Sequence, residues 1–185
     1  MKKISLFIVM MVSSVICANA QNLTFEGSIA ALKSNGTYAV EFDYSNLHVE
    51  NLPLEKFLAT KDAKFNNDWE SDIVISTENV AKSVPSDVNK KLVLNPEAPQ
   101  YIFVIRLKAL FLGNAGGQFV PFGGKVGGAN ITGQIDILDA KTRKVEGIVH
   151  FSDVQGVSSF SDKTRWSMAY AFLVKPMKKM VKKAK

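Results

Sequence analysis

Cysteine is almost absent from this chain: its 185 residues hold one, Cys17, and that residue falls in a segment that reads as a removable leader. A chain that matures without cysteine has no disulfide, no thiolate metal site and no cysteine nucleophile. Its core alone must hold it together. Histidine is nearly as scarce. His48 and His150 are the only two, far apart in sequence and without Cys, His or Asp at ligand spacing. Both read as strand histidines on a wet face, so no metal and no cofactor is expected. Nucleotide-loop signatures are missing too. Gly124-Lys125 is followed by Val126 rather than Ser or Thr, Phe119 rather than glycine stands five residues before Gly124, and no Gly-x-Gly-x-x-Gly occurs. Ser152 between His150 and Asp153 lacks the Gly-x-Ser-x-Gly setting of a nucleophile elbow.

A uniformly basic character is also lacking, although the net charge is +6. Residues 21–160 carry 13 Lys/Arg against 16 Asp/Glu, whereas residues 161–185 carry eight Lys/Arg against one Asp. A mildly acidic body with a basic terminal segment argues against nucleic acid as a partner. Past the first twenty residues no apolar run is long enough to span a bilayer.

What is present begins with an address. Lys2 and Lys3, the apolar run Ile4–Ile16 and the small residues of Ala18-Asn19-Ala20 form a secretory signal pattern. Cleavage is expected after Ala20, leaving a single domain over 21–185, periplasmic or secreted. Lipidation of Cys17 would need a small residue before it, and Ile16 is bulky, so plain export is the expectation.

The chain is organised around 113–157. Eight of its twelve glycines lie between Gly113 and Gly133. Two strands follow, Ile131–Leu138 and Lys144–Val154, around an Asp139–Arg143 turn in which Asp139 should satisfy backbone amides. Upstream, Thr24–Leu32 is expected as a strand, joined through Asn35-Gly36, a hairpin signal, to the alternating strand Tyr38–Ser45. Pro53 marks a helix start. Region 62–95 is ambiguous: Trp69, Ile73, Val80 and Val84 can share a helical face, but Ile73-Val74-Ile75 is β-branched and suits a short strand. Pro85 should end or kink any helix there. Tyr101–Leu112 reads as a central strand with Tyr101, Phe103, Ile105, Leu107, Ala109 and Phe111 on one face. Glycines within the strands point to close crossing by something bulky, and the terminal helix is the expected visitor.

That helix starts after Ser158-Ser159, with Ser159 and Asp162 spaced for a capping box. Trp166, Ala169, Tyr170, Leu173, Met177, Met180, Val181 and Ala184 recur at three and four. Trp166–Leu173 should dock on the sheet, with a kink at Pro176 and a lysine-rich end, 175–185, fraying into water. The expected fold is α+β: two layers, a mostly antiparallel sheet of about five strands, and the C-terminal helix packed on one face.

Two surfaces can make contacts. The glycine-rich loop, 113–130, reads as a connector whose Phe119, Phe122 and Lys125 are placed to touch a partner. Lys178, Lys179 and Lys182 on the terminal helix suit an anionic membrane surface, or serve as a solubilising helix end. Glu41 and Asp43 share a strand face and read as solvated carboxylates.

The run Ile135-Asp136-Ile137-Leu138-Asp139-Ala140-Lys141-Thr142-Arg143-Lys144-Val145 resembles the strand–Asp-Ala-x-Thr-Gly-x-Val–strand hairpin of small bacterial envelope domains related to the curli-secretion lipoprotein and the TolB amino-terminal domain. In that family a final helix also follows the hairpin. Arg143 stands where the pattern has glycine. The leader ending Ala18-Asn19-Ala20-Gln21 is similar to those of Bacteroidetes exported proteins. The resemblance implies an envelope assembly or accessory protein without catalytic residues, whose partner is another envelope protein. A small-ligand binder or hydrolase with a site between sheet and helices, and a membrane-surface binder, are the alternatives.

Overall fold

The computed structural model describes residues 22–113 and 127–184. Residues 1–20, expected to be a leader, and Phe119, Phe122 and Lys125 of the glycine-rich loop lie outside the described residues. In chain order the elements are β1 (Asn22–Gly27), a 3-10 turn (Ala30–Lys33), β2 (Gly36–Asp43), β3 (His48–Val49), β4 (Leu52–Pro53), α1 (Leu54–Ala59) and α2 (Ala63–Asp68). A π-helical stretch (Trp69–Val74) leads into α3 (Ile75–Val88), followed by β5 (Leu92–Leu94), β6 (Tyr101–Phe111), β7 (Asn130–Asp139), β8 (Val145–Gln155) and α4 (Asp162–Lys183).

The protein is mixed α/β, with one large sheet and a C-terminal helix. The sheet has eight strands rather than about five, in the order β1-β8-β7-β6-β2-β5, with β3 beside β6 and β4 beside β3. The additional strands β3, β4 and β5 are two or three residues long, too short for alternation to reveal them. Nor is the sheet uniform. From β1 to β6 it is antiparallel, whereas β2 pairs parallel with both β5 and β6. The helices between β4 and β5 supply the long return that parallel pairing requires.

The expected hairpin at Asn35-Gly36 does not form. β1 stops at Gly27, which has φ +68, and pairs with β8, Asn22 facing Ser152. The chain then crosses to β2 through the 3-10 turn, burying Ala31 and Leu32. A local turn signal was outweighed by an edge position beside β8.

β6 keeps its expected face only to Leu107. A register shift between Leu107 and Ala109 reverses the alternation, so Leu110 and Leu112 enter the core while Phe111 is exposed. Gly133 lies at this bulge. A Cβ there would meet the Arg106 carbonyl oxygen at 2.3 Å and the Phe151 ring at 2.9 Å. Gly147 likewise admits Ser28, at 2.0 Å. The strand glycines therefore make room for neighbouring backbone, not for the helix.

Gly156, just past β8, is the residue that admits α4. Its Cβ would sit 2.4 Å from the Arg165 carbonyl oxygen and 2.9 Å from the Ala169 nitrogen. Both are backbone atoms and cannot rotate away. Gly156→Ala is expected to cost about 1–3 kcal/mol by overpacking, read as a lower denaturant midpoint. An unchanged midpoint would mean that α4 moves off the sheet without cost.

The ambiguous region is helical from Ala63 to Val88 and then enters the short strand β5. Trp69, Ile73, Thr77, Ala81 and Pro85 are all buried, at a spacing of four. A regular α-helix turns 3.6 residues and would rotate such a stripe off the core within a few turns. The π-helical stretch, with its wider turn, takes up part of that mismatch. Ile73-Val74-Ile75 accordingly lies at the π-to-α junction rather than in a strand. Pro85 neither ends nor breaks α3, which runs on to Val88.

α4 is continuous across Pro176 to Lys183. Its far end does not fray, because Met177 and Met180 are buried and the Ala184 carbonyl accepts a bond from the Lys33 ammonium. The capping box is not made. Ser161 precedes the helix without a side-chain cap, and the Asp162 carboxylate goes to Arg165. Trp166 and Tyr170 are pressed inward, both 0% exposed. α3 and α4 pack side by side on one face of the sheet.

Candidate interaction surface

α4 sorts its side chains by spacing. Arg165, Trp166, Ala169, Tyr170, Leu173, Met177 and Met180 are buried, whereas Thr164, Phe172, Lys175, Lys178, Lys179, Lys182 and Lys183 are exposed. The inner face is fixed by aromatic packing. The Trp166 ring stacks on Trp69 at 5.4 Å and meets Tyr44 edge-on at 6.2 Å. Burial pushes the Tyr44 and Tyr170 hydroxyls well above the ordinary phenol range, so both stay neutral. The Tyr44 and Tyr170 hydroxyls and the Trp166 ring N–H have no hydrogen-bond partner among the described residues.

Arg165 locks the start of α4. Its Nε donates to the Leu112 carbonyl at 2.6 Å, and its other nitrogens reach the Ser159 carbonyl and the Asp162 carboxylate. A buried cation is tolerated because each side of its guanidinium has an acceptor. One residue thus ties the end of β6 to the loop before α4.

The outer face carries the charge. Lys178, Lys179 and Lys182, singled out from sequence, are joined by Lys175 and Lys183. Lys175, Lys178, Lys179 and Lys182 line an open groove with Ala171 and Val174. None of the five lysines has a carboxylate within salt-bridge distance among the described residues, whereas Lys163, earlier in α4, pairs with Asp72 at 2.8 Å. Asp87, near the end of α3, feels Lys178 only from a distance and bonds Lys90. Lys175 was legible in principle, since it lies three before Lys178 and four before Lys179. Arg165 could have been found as a cation three residues after Asp162 inside an apolar stripe.

The opposite face of the sheet is internally matched. Arg143, in the β7–β8 turn with φ 59, reaches across to β2 and grips Glu41 with two bonds of 2.6 and 2.9 Å. Arg106 bridges Asp136, at 2.7 Å, and Asp43. Glu41 and Asp43 are therefore ion-paired rather than merely solvated. These pairs border a small apolar patch of Ile102, Val104 and Leu138. Asp139 accepts from the Thr142 amide and hydroxyl, both at 2.7 Å, as its position in the turn required.

Several carboxylates are held below their ordinary range: Glu41 by Arg143, Asp43 by Ser45 and then Arg106, Asp72 by Lys163, Asp87 by Lys90, and Asp139 by Thr142. A folded pKa below the unfolded one adds stability above the unfolded value and loses it as pH falls through the folded value. Unfolding free energy should therefore hold level down to the unfolded values, 4.5 for Glu and 3.8 for Asp, then decline with further acid. An acid denaturation series measures this; stability that rises below pH ~4 would contradict the pairings. Lowered carboxylates are held ionised and are poor proton donors.

A second feature is a cleft of about 250 Å³ at the end of the sheet, lined by Glu50, Phe111, Asn130, Asp153 and Gln155 among others. Glu50 and Asp153 both adopt positive φ. Glu50 has a structural task there, accepting the Leu112 amide at 2.8 Å and tying the β3–β4 turn to β6. His48 is exposed on β3, and His150 lies on β8 with its Nε2 3.2 Å from Glu26; the structure does not bring them together. No group of three or more metal-binding side chains occurs among the described residues. No described helix is long and apolar enough to cross a membrane.

No protein-family model matches the chain, and no curated protein matches it. Among solved structures it is similar to PelC from Paraburkholderia phytofirmans. A PelC variant dodecamer in space group C2 and a PelC dodecamer in space group P6 are each 9% identical, covering 86% of this chain and 98% of theirs, with TM-scores of 0.39 and 0.41. A likeness at these scores assigns no function.

Proposed function

We propose that this chain is a non-enzymatic exported envelope protein that works by contact, with the outer face of α4 as its contact surface. One observation carries the reading: five lysines without carboxylate partners stand on one side of a helix whose other side is locked into the core. Charge left unmatched on a rigid element is available to a partner, whereas the arginines of the opposite face are already committed to Glu41, Asp43 and Asp136. The leader pattern of residues 1–20 supports export, and the scarcity of histidine and cysteine supports the absence of catalysis.

A fourfold variant, Lys175→Gln, Lys178→Gln, Lys179→Gln and Lys182→Gln, tests this. All four side chains are exposed, so stability should change little, about ±0.5 kcal/mol per site. The parent chain should fractionate with the cell envelope at low salt and be released at high salt, while the variant is released throughout. Identical fractionation of the two would remove α4 as the contact surface.

A further inference from the structure

We infer that the α4 face takes an anionic bilayer surface, a step that rests on the contact reading above. The choice of cation is the first reason. Every exposed cation from Lys175 to Lys183 is lysine, and the one arginine of α4, Arg165, points inward. Guanidinium forks suit fixed, two-pronged recognition of a carboxylate or phosphate. Ammonium groups on long flexible stems are hydrated point charges, suited to many mobile headgroups.

Shape is the second reason. The lysines lie along one side of one helix, over about 12 Å at 1.5 Å per residue, bordering a groove that is open to solvent. A folded protein partner is held by aromatic or arginine anchors sunk into pockets. Here the groove holds only Ala171, Val174 and the lysine stems. A plane of charge needs no pocket. Phe172, one turn before Lys175 and 37% exposed, would lie at headgroup depth while the lysine stems splay outward to the phosphates.

Orientation is the third. Glu41, Asp43 and Asp136 on the far side of the sheet are paired with Arg143 and Arg106. Residues 21–160 carry a slight excess of carboxylates, so the excess positive charge is concentrated in the segment that holds α4, and its field draws the protein to a negative surface α4 first.

The test is sedimentation of the purified full chain with vesicles of phosphatidylcholine alone or with about a third phosphatidylglycerol. At about 0.1 M salt, where charges are screened beyond ~10 Å, binding is expected to the anionic vesicles only, and to be lost at several-fold higher salt. Each lysine should contribute roughly fivefold, so the fourfold glutamine variant should bind several hundredfold more weakly. The matching fourfold Lys→Arg variant should bind as the parent does and shows that the fold is intact. Three outcomes overturn the inference. If anionic vesicles bind no better than neutral ones while lysine-dependent envelope retention persists, the occupant is an acidic protein or polymer and the contact reading stands. If the glutamine variant binds vesicles as well as the parent, α4 is not the membrane face. If neither vesicle binding nor envelope retention depends on the lysines, both readings fall together.

Discussion

Replacing Trp166 by alanine is expected to remove about 3–5 kcal/mol of stability, enough to exhaust much of the margin of a domain this size. Trp166 is fully buried at the point where α4, the π-helical stretch before α3 and the chain after β2 meet. It stacks on Trp69 at 5.4 Å and faces Tyr44 at 6.2 Å. Trp69 in turn packs on Phe57 and Phe65, at 5.9 and 6.0 Å. Deleting the indole opens a void into which rigid rings cannot collapse, and each lost aromatic pair adds about 0.5–1.5 kcal/mol beyond area. Chemical denaturation measures the loss. A neighbouring substitution gives the contrast. The Tyr170 hydroxyl is buried with the Trp166 ring N–H beside it but no hydrogen bond of good geometry, so Tyr170→Phe removes a poorly satisfied polar atom and should be close to neutral. Equal losses for the two variants would mean that the Tyr170 hydroxyl is bonded after all and that ring packing is not what distinguishes these positions.

Arg165→Met should cost about 3 kcal/mol, by a different route. The aliphatic replacement fills much of the space, so little cavity results. What is lost is a set of charge-assisted bonds to the Leu112 and Ser159 carbonyls and to Asp162, each worth about 1.5–3 kcal/mol net, a loss partly offset because the cation no longer has to be buried. Asp162 can turn to solvent, its side chain being 31% exposed, but the buried end of β6 cannot. Hydrogen exchange should therefore quicken first around 110–113 and 156–162, ahead of the β6–β7 pairing. Uniform quickening across the sheet would show that Arg165 contributes only to global stability. Asp162→Asn, which keeps the cation and removes its counter-charge, should fall between parent and Arg165→Met.

The parts of the fold that the sequence disclosed are those where one periodicity runs long enough to be read. β6, β7, β8 and α4 each carry ten or more residues; Phe103, Ile105 and Leu107 of the face read for β6 are buried, as are Trp166, Ala169, Tyr170, Leu173, Met177 and Met180 of the stripe read for α4. The β6 bulge is invisible in the pattern because the single added residue, Lys108, looks like an ordinary solvent-facing position. The Asn35-Gly36 turn misled because dipeptide preference is local, whereas the partner of β1 is decided by β8. Trp69 to Pro85 resisted assignment because Trp69, Ile73, Val80 and Val84 suit a helical face while the β-branched Ile73-Val74-Ile75 suits a strand, and a π-helical stretch leaves no pattern of its own in so few residues. At the candidate surface, three lysines were legible from charge and helical spacing alone. Their freedom from carboxylate partners was not, since Asp87 lies near enough to feel Lys178 and is instead bound to Lys90.

The placement of β1 also sets the order in which the molecule can be completed. Its outermost antiparallel strand is the earliest of the described elements to be synthesised, yet Leu23 and Phe25 find their places only against Phe151 and Val149, near the far end of the chain. The meander of β6, β7 and β8 can zip from neighbouring residues, but this strand must wait for a long loop to close. Until β8 has been made, β1 lacks the strand it pairs with, so this edge of the sheet is the last to close.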